Sequence, residues 1–181
     1  MKSTLALLVF ALLGTPALAQ SDPHGGPRGH SPYAGLEQRE IKALSNEQIA
    51  DLRAGRGMSL ALPAEVNGYP GPRHVLELAD ALNLTPDQRA STQSLFAEME
   101  REAMGLGARV IESERLLDTL FADGVGTPET LAAATTEAAS LQGQLRAIHL
   151  KYHLDMKAML TPEQVMRYND LRGYRGSSRP L

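Results

Sequence analysis

Between Pro86 and about Phe121, the apolar residues Leu95, Met99, Leu106, Val110, Leu117 and Leu120 recur at steps close to three and four, with Ala103 helping to fill the series. That period predicts one long amphipathic helix, which at 1.5 Å per residue would run roughly 54 Å. Gly105 and Gly107 form its weak point, a place to bend or fray. The segment "ADGVGTP" breaks the pattern, and Thr127 and Pro128 start a second rod. Leu131, Ala134, Ala138, Leu141, Leu145, Ile148, Tyr152 and Met159 then follow a heptad-like seam, interrupted by Asp155. Two rods of similar length with a short connection predict an antiparallel hairpin. A last short helix is expected from Thr161 to about Arg172.

The segment ahead of the hairpin is less regular. Leu36, Ile41, Leu44, Ile49 and Leu52 have mixed helical spacing, with Ser45 and Gln48 dividing two short helices and Gly55 and Gly57 ending the segment. Turn signals follow at Asn67-Gly68 and Pro70-Gly71-Pro72, then a short helix carrying Val75, Leu78, Ala79 and Leu82 on one side. The fold class is therefore all-α: a long antiparallel helical hairpin with short flanking helices. The Ala-rich side of the second rod buries little area per residue, so dimerisation through the same apolar stripe is expected to add to the packing of the short helices.

One phrase occurs twice, as "NLTPDQR" from 83 to 89 and "MLTPEQV" from 159 to 165. Thr85 and Thr161 suit the N-cap, Pro86 and Pro162 the first helical position, and Gln88 and Gln164 the third residue of a capping box. Ser45 with Gln48 is a weaker copy. The two full copies stand at corresponding ends of the antiparallel rods. They are expected to meet there and fix how the short helices fold back, in a mainly structural role.

Composition changes this picture in two ways. Residues 1–19 combine Lys2, the apolar run "TLALLVFALLG" and a cleavage site after Ala19, which together predict a secretory signal peptide rather than a membrane span. No Cys follows that site, so it is not a lipoprotein signal. The address implied is extracytoplasmic, with no stable span once the signal is removed. Gly, Pro, Ser and His then dominate residues 20–35, read as a flexible arm; residues 36–172 form one helical domain, and 173–181 a tail. Losing Lys2 with the signal takes the formal charge from -3 to -4, which argues against a nucleic-acid partner. The absence of Cys removes disulfides, thiolate ligands and a Cys nucleophile.

No catalytic signature stands out, and the expectation is a protein that is not an enzyme. His149 and His153 lie four apart on one helix face, with Met156 three residues further on nearly the same side. Imidazoles suit zinc, nickel, cobalt or copper, and a thioether favours softer ions such as Cu(I). His74 with Glu77 is a second pair, and His24 and His30 stand in the arm. The same residues also make ordinary sense as the polar edge of a helical seam.

The signal peptide, the Cys-free helical chain and the two copies Leu84-Thr85-Pro86-Asp87-Gln88 and Leu160-Thr161-Pro162-Glu163-Gln164 resemble the Spy/CpxP family of periplasmic proteins over roughly residues 72 to 172. The resemblance implies a small helical homodimer shaped like a cradle, which binds unfolded client proteins without ATP or restrains an envelope sensor protein. A related branch comprises periplasmic heavy-metal sensor and resistance proteins that use His, Glu and Met ligands on the same scaffold. His149, His153 and Met156 look like such a set, with His74 and Glu77 as complements. Two features depart from the chaperone pattern. The first rod has seven acidic residues against four basic ones, whereas the chaperones tend toward a basic surface, and the segment ahead of it is elaborate. A structural envelope protein with neither activity is the third alternative.

Overall fold

The computed structural model describes residues 31–174. The expected signal segment, the arm as far as residue 30, with His24 and His30, and the tail beyond Tyr174 lie outside those residues. The chain divides into residues 1–34 and 35–181. Of the first unit, only residues 31–34 are described, a turn in which Ala34 N–H donates to the Ser31 carbonyl at 2.8 Å.

The second unit is an all-α bundle. After a single 3-10 turn at Leu36–Gln38 come α1 (Asn46–Arg53), α2 (Leu62–Glu65), α3 (Pro72–Glu77), α4 (Pro86–Ala122), α5 (Pro128–Met159) and α6 (Pro162–Leu171). The long helices start and stop where local chemistry dictates. Thr85, Thr127 and Thr161 each close a capping box in front of a Pro at N1, and Ser45 does so for α1 without the Pro. Two helices expected from the pattern are shorter than it suggests. The 36–45 segment is mostly turns, and α3 stops at Glu77 because the chain tightens through bonds from Leu82 N–H to Leu78 and from Leu84 N–H to Ala79, with Asn83 at φ 51.

α4 and α5 run antiparallel. Tyr152 Oη donates to Glu102 Oε1 at 3.2 Å, and Gln142 Nε2 to Glu114 Oε1 at 2.9 Å, so rising numbers on one helix meet falling numbers on the other. The short elements pack onto one end of this pair. α1 lays Ile49 and Leu52 on α4, forming a core with Ile41, Leu44, Ala103, Val110, Ile111, Leu141 and Leu145. A second core joins α3, α5 and α6 through Val75, Leu82, Met156, Leu160 and Tyr168. Each fully buried Leu or Ile contributes on the order of 1.5–3 kcal/mol. At the other end none of the described residues covers the pair. Residues 121–133 are exposed throughout, including Phe121 at 67% and Val125 at 59%.

The helix does not break at Gly105 and Gly107. α4 passes through both, and Gly107 serves contact rather than flexibility: a Cβ there would lie 2.2 Å from the Leu52 carbonyl oxygen. The missing side chain lets the end of α1 rest directly on α4.

The two copies of the repeated phrase meet. Gln88 Nε2 donates to Gln164 Oε1 at 2.9 Å, and Gln164 Nε2 donates back to Gln88 Oε1 at 3.0 Å. Each amide oxygen also accepts its own N-cap N–H, from Thr85 at 3.1 Å and Thr161 at 3.0 Å. The nitrogens reach further, Gln88 to the Met159 carbonyl and Gln164 to that of Leu82. One amide pair therefore completes two capping boxes and ties the start of α4 to the start of α6.

Candidate metal centre

A cavity of about 360 Å³ opens between the short elements and the α4–α5 pair. His149 and His153 reach it from α5, His74 from α3 and Glu65 from the end of α2. These residues are far apart in sequence, and the packing of α2 and α3 over the hairpin brings them to one wall.

Glu65 is the junction. It is 6% exposed, and its Oε1 accepts from Tyr168 Oη at 2.5 Å and Tyr174 Oη at 3.2 Å. His74 Nδ1 stands 3.3 Å and Arg172 Nε 3.4 Å from the same oxygen. Burial pushes the carboxyl up, but hydrogen bonds from His74 and Tyr168, followed by the electrostatics of the nearby His74 and His153 rings, outweigh it, holding the group down at about 2. Glu65 is thus a carboxylate at any ordinary pH. The same contact, after burial itself, pushes the Tyr168 phenol far up, so it remains a donor. Glu65 Oε2 is enclosed with no hydrogen-bond partner, 3.7 Å from His153 Nδ1.

His153 Nδ1 lies 2.7 Å from the Tyr69 carbonyl. A carbonyl only accepts, so Nδ1 carries the proton and Nε2 keeps its lone pair, the arrangement that backbone carbonyls impose on metal-binding imidazoles. Gly71 leaves room beside that nitrogen, since a Cβ there would come within 3.0 Å of Nε2 and 2.9 Å of Cε1. Its φ of -87 is ordinary, so the need for glycine at this position is spatial. One turn earlier, His149 is 3% exposed with Nε2 enclosed and unpartnered. Burial, and next the electrostatics of the neighbouring His153 ring, pushes its pKa down, which keeps the ring neutral and able to ligate.

The donor chemistry of this wall, neutral imidazoles beside a carboxylate, fits a transition-metal cation. Among the described residues, no three His, Asp or Glu side chains are grouped to hold one ion as they stand. The donors share a cavity without forming a closed shell.

Comparison with known families bears on the same region. A family model described as heavy-metal resistance matches residues 56–167. The chain belongs to the heavy-metal resistance family. No curated protein and no solved structure matches it. The heavy-metal resistance match spans Glu65, His74, His149 and His153, and ends just before Tyr168.

Of the residues singled out in the sequence, His74, His149 and His153 line this same cavity. Met156 and Glu77 lie elsewhere. Met156 is fully buried in the second core beside Val75 and Tyr168, and Glu77 pairs with Arg73 Nε at 3.1 Å on the surface. Met156 shares the angular face of His149, but seven residues carry it about 10 Å along the helix, past the end of the cavity. Leu84, Thr85, Gln88, Leu160, Thr161 and Gln164 build the two linked helix starts. Glu65 was not foreseen. In "LPAEV" it carries no local sign that it is buried, and its partners come from α3, α5, α6 and the residues after α6.

Among the described residues no helix is long and apolar enough to cross a membrane.

Proposed function

We propose that this chain is a periplasmic heavy-metal-binding protein, acting as a sensor or resistance buffer and not as an enzyme. His149 and His153 are its primary ligands, with Glu65 and His74 completing the set. The observation that carries this reading is the enclosed, unpartnered Nε2 of His149 on the same wall as His153, whose tautomer leaves a second lone pair beside the space at Gly71. Membership of the heavy-metal resistance family supports it. Calorimetric titration of the mature protein with Zn²⁺, Ni²⁺, Co²⁺ and Cu²⁺ tests it, in a background with His24 and His30 replaced by Ala. Sub-micromolar binding that disappears in H149A/H153A is expected. Heat changes no larger than those of H149A/H153A for every metal would reject the reading.

A second reading follows from the uncovered end of the hairpin, where Leu116, Phe121, Val125 and Leu131 are exposed. Such an apolar surface suits a second copy of the chain or an unfolded client. In this reading the protein is a homodimeric Spy/CpxP-like holdase, or an adaptor for an envelope sensor. Light scattering by an aggregating reduced client at equimolar protein distinguishes it: suppression that is lost in F121S/V125S supports client binding, and unchanged scattering removes it.

A further inference from the structure

Two thioethers share the cavity with the imidazoles. Met99 faces it from α4, almost wholly buried, and Met58 reaches it from the loop between α1 and α2. We propose that Met58 and Met99 make this cavity selective for a soft monovalent cation, Cu(I), held with His149 and His153 in preference to Zn(II), Ni(II) or Co(II). The proposal rests on the metal-binding reading and names its cargo.

Three observations carry it. The first is the donor set. Thioether sulfur and neutral imidazole are the ligands that Cu(I) favours, whereas the borderline divalent ions are better served by imidazole and carboxylate. The second is charge. Of the basic residues along the cavity, Arg56 pairs with Asp51 and Arg73 with Glu77, which leaves Arg172 beside the carboxylates of Glu65 and Glu100. Glu65 already answers Arg172 and His74 through Oε1. A dication entering this enclosed wall leaves more hydration behind than a monocation does. The third is the loop that presents Met58. Gly57 lies against His149, since a Cβ on it would sit 3.9 Å from both Cε1 and Nδ1 of that ring. The next two residues, Met58 and Ser59, both adopt left-handed backbone, at φ 41 and φ 63, although neither is glycine. Backbone of that kind persists where surrounding structure holds it, and it gathers at ligand clamps. Here it places a sulfur-bearing side chain immediately after a residue that runs beside His149.

Leucine replaces methionine with little change of volume, so the sulfur can be removed while the packing is kept. The test uses the mature chain with His24 and His30 replaced by Ala, under anaerobic conditions. Cu(I) is supplied by a competing chromophoric chelator, and Zn(II) affinity is measured in parallel. Wild type is expected to hold Cu(I) more tightly than Zn(II), with sulfur scattering in the copper K-edge spectrum. M58L/M99L is expected to lose at least roughly tenfold in Cu(I) affinity together with the sulfur signal, while its Zn(II) affinity stays unchanged. M156L, altered in the core outside the cavity, should bind Cu(I) as wild type does. Unchanged Cu(I) affinity in M58L/M99L would overturn the assignment and leave the metal-binding reading standing. A wild-type protein that binds neither Cu(I) nor any of the divalent ions would overturn both.

Discussion

Replacing Gln88 by Glu changes one amide nitrogen to oxygen and tests what joins the two repeated turns. The new carboxylate still accepts from Thr85 N–H and from Gln164 Nε2, so the capping box itself survives. Its second oxygen takes the place of Nε2, 2.9 Å from Gln164 Oε1 and 3.1 Å from the Met159 carbonyl. Two donations vanish, and acceptors face one another in a half-buried site. At about 1 kcal/mol for each bond lost, and as much again for acceptors left unsatisfied, the expected destabilisation is about 2–4 kcal/mol. Gln48→Glu is the control. Gln48 closes the same kind of box with Ser45 on the exposed start of α1, its hydrogen bonds run only to Ser45, and the expected change is within about 0.5 kcal/mol. Urea unfolding followed by far-ultraviolet circular dichroism reads the difference. With a slope of about 1–3 kcal/mol per molar urea, the Q88E midpoint should fall by on the order of 1–2 M while native helicity is kept. The loss should shrink in acid, because a protonated carboxyl regains a donor. Coincident midpoints for Q88E and Q48E would refute the idea that the amide pair holds the turns together.

Further outcomes follow from individual side chains. Gly107→Ala should destabilise by several times the roughly 1 kcal/mol that alanine normally adds in a helix, because its Cβ meets the Leu52 backbone, whereas Gly105→Ala, facing open space, should stabilise. Thermal melts that order the two variants the other way would contradict the α1–α4 contact. Glu65 is held at about 2 against an ordinary 4.5, so the stability it contributes is complete above pH 4.5 and is lost as pH falls toward 2. That window amounts to about 3 kcal/mol, and Glu65→Gln should remove this acid limb from urea midpoints measured across it. His149 acts at higher pH. Its folded form resists protonation, so stability declines as pH drops below 6.5, where the unfolded ring takes a proton, and His149→Gln should flatten that slope.

Sequence patterns disclosed the parts of this fold that are decided locally. The starts of α4, α5 and α6 were legible because a Thr-Pro pair and a residue three beyond the Thr are enough to build a capping box. The buried face of α5 was legible at Ala138, Leu141, Leu145 and Tyr152, where heptad spacing and packing agree. Chain geometry also foretold that Gln88 and Gln164 would be neighbours, since out and back along two rods of similar length returns to the same end. The site was less legible. His149 and His153 stand out by their spacing, but Met156 satisfies the same angular rule and belongs to a different layer. Glu65 and Met58 lie in a segment whose path is set by turns, left-handed residues and contacts with distant helices. No periodicity records those. Gly107 misled for a related reason, since a glycine that admits another backbone and a glycine that loosens a helix look alike in one dimension.

The bare end of the helical pair has a practical consequence. The turn from Asp123 to Thr127 is joined to the cavity only through the two rods themselves, with Gly124 at φ 65 and open space around it. A reporter domain or affinity handle spliced into that turn would travel at the tip of a lever and leave the cavity wall untouched. The same isolation makes the tip the region whose amide protons should exchange with solvent first.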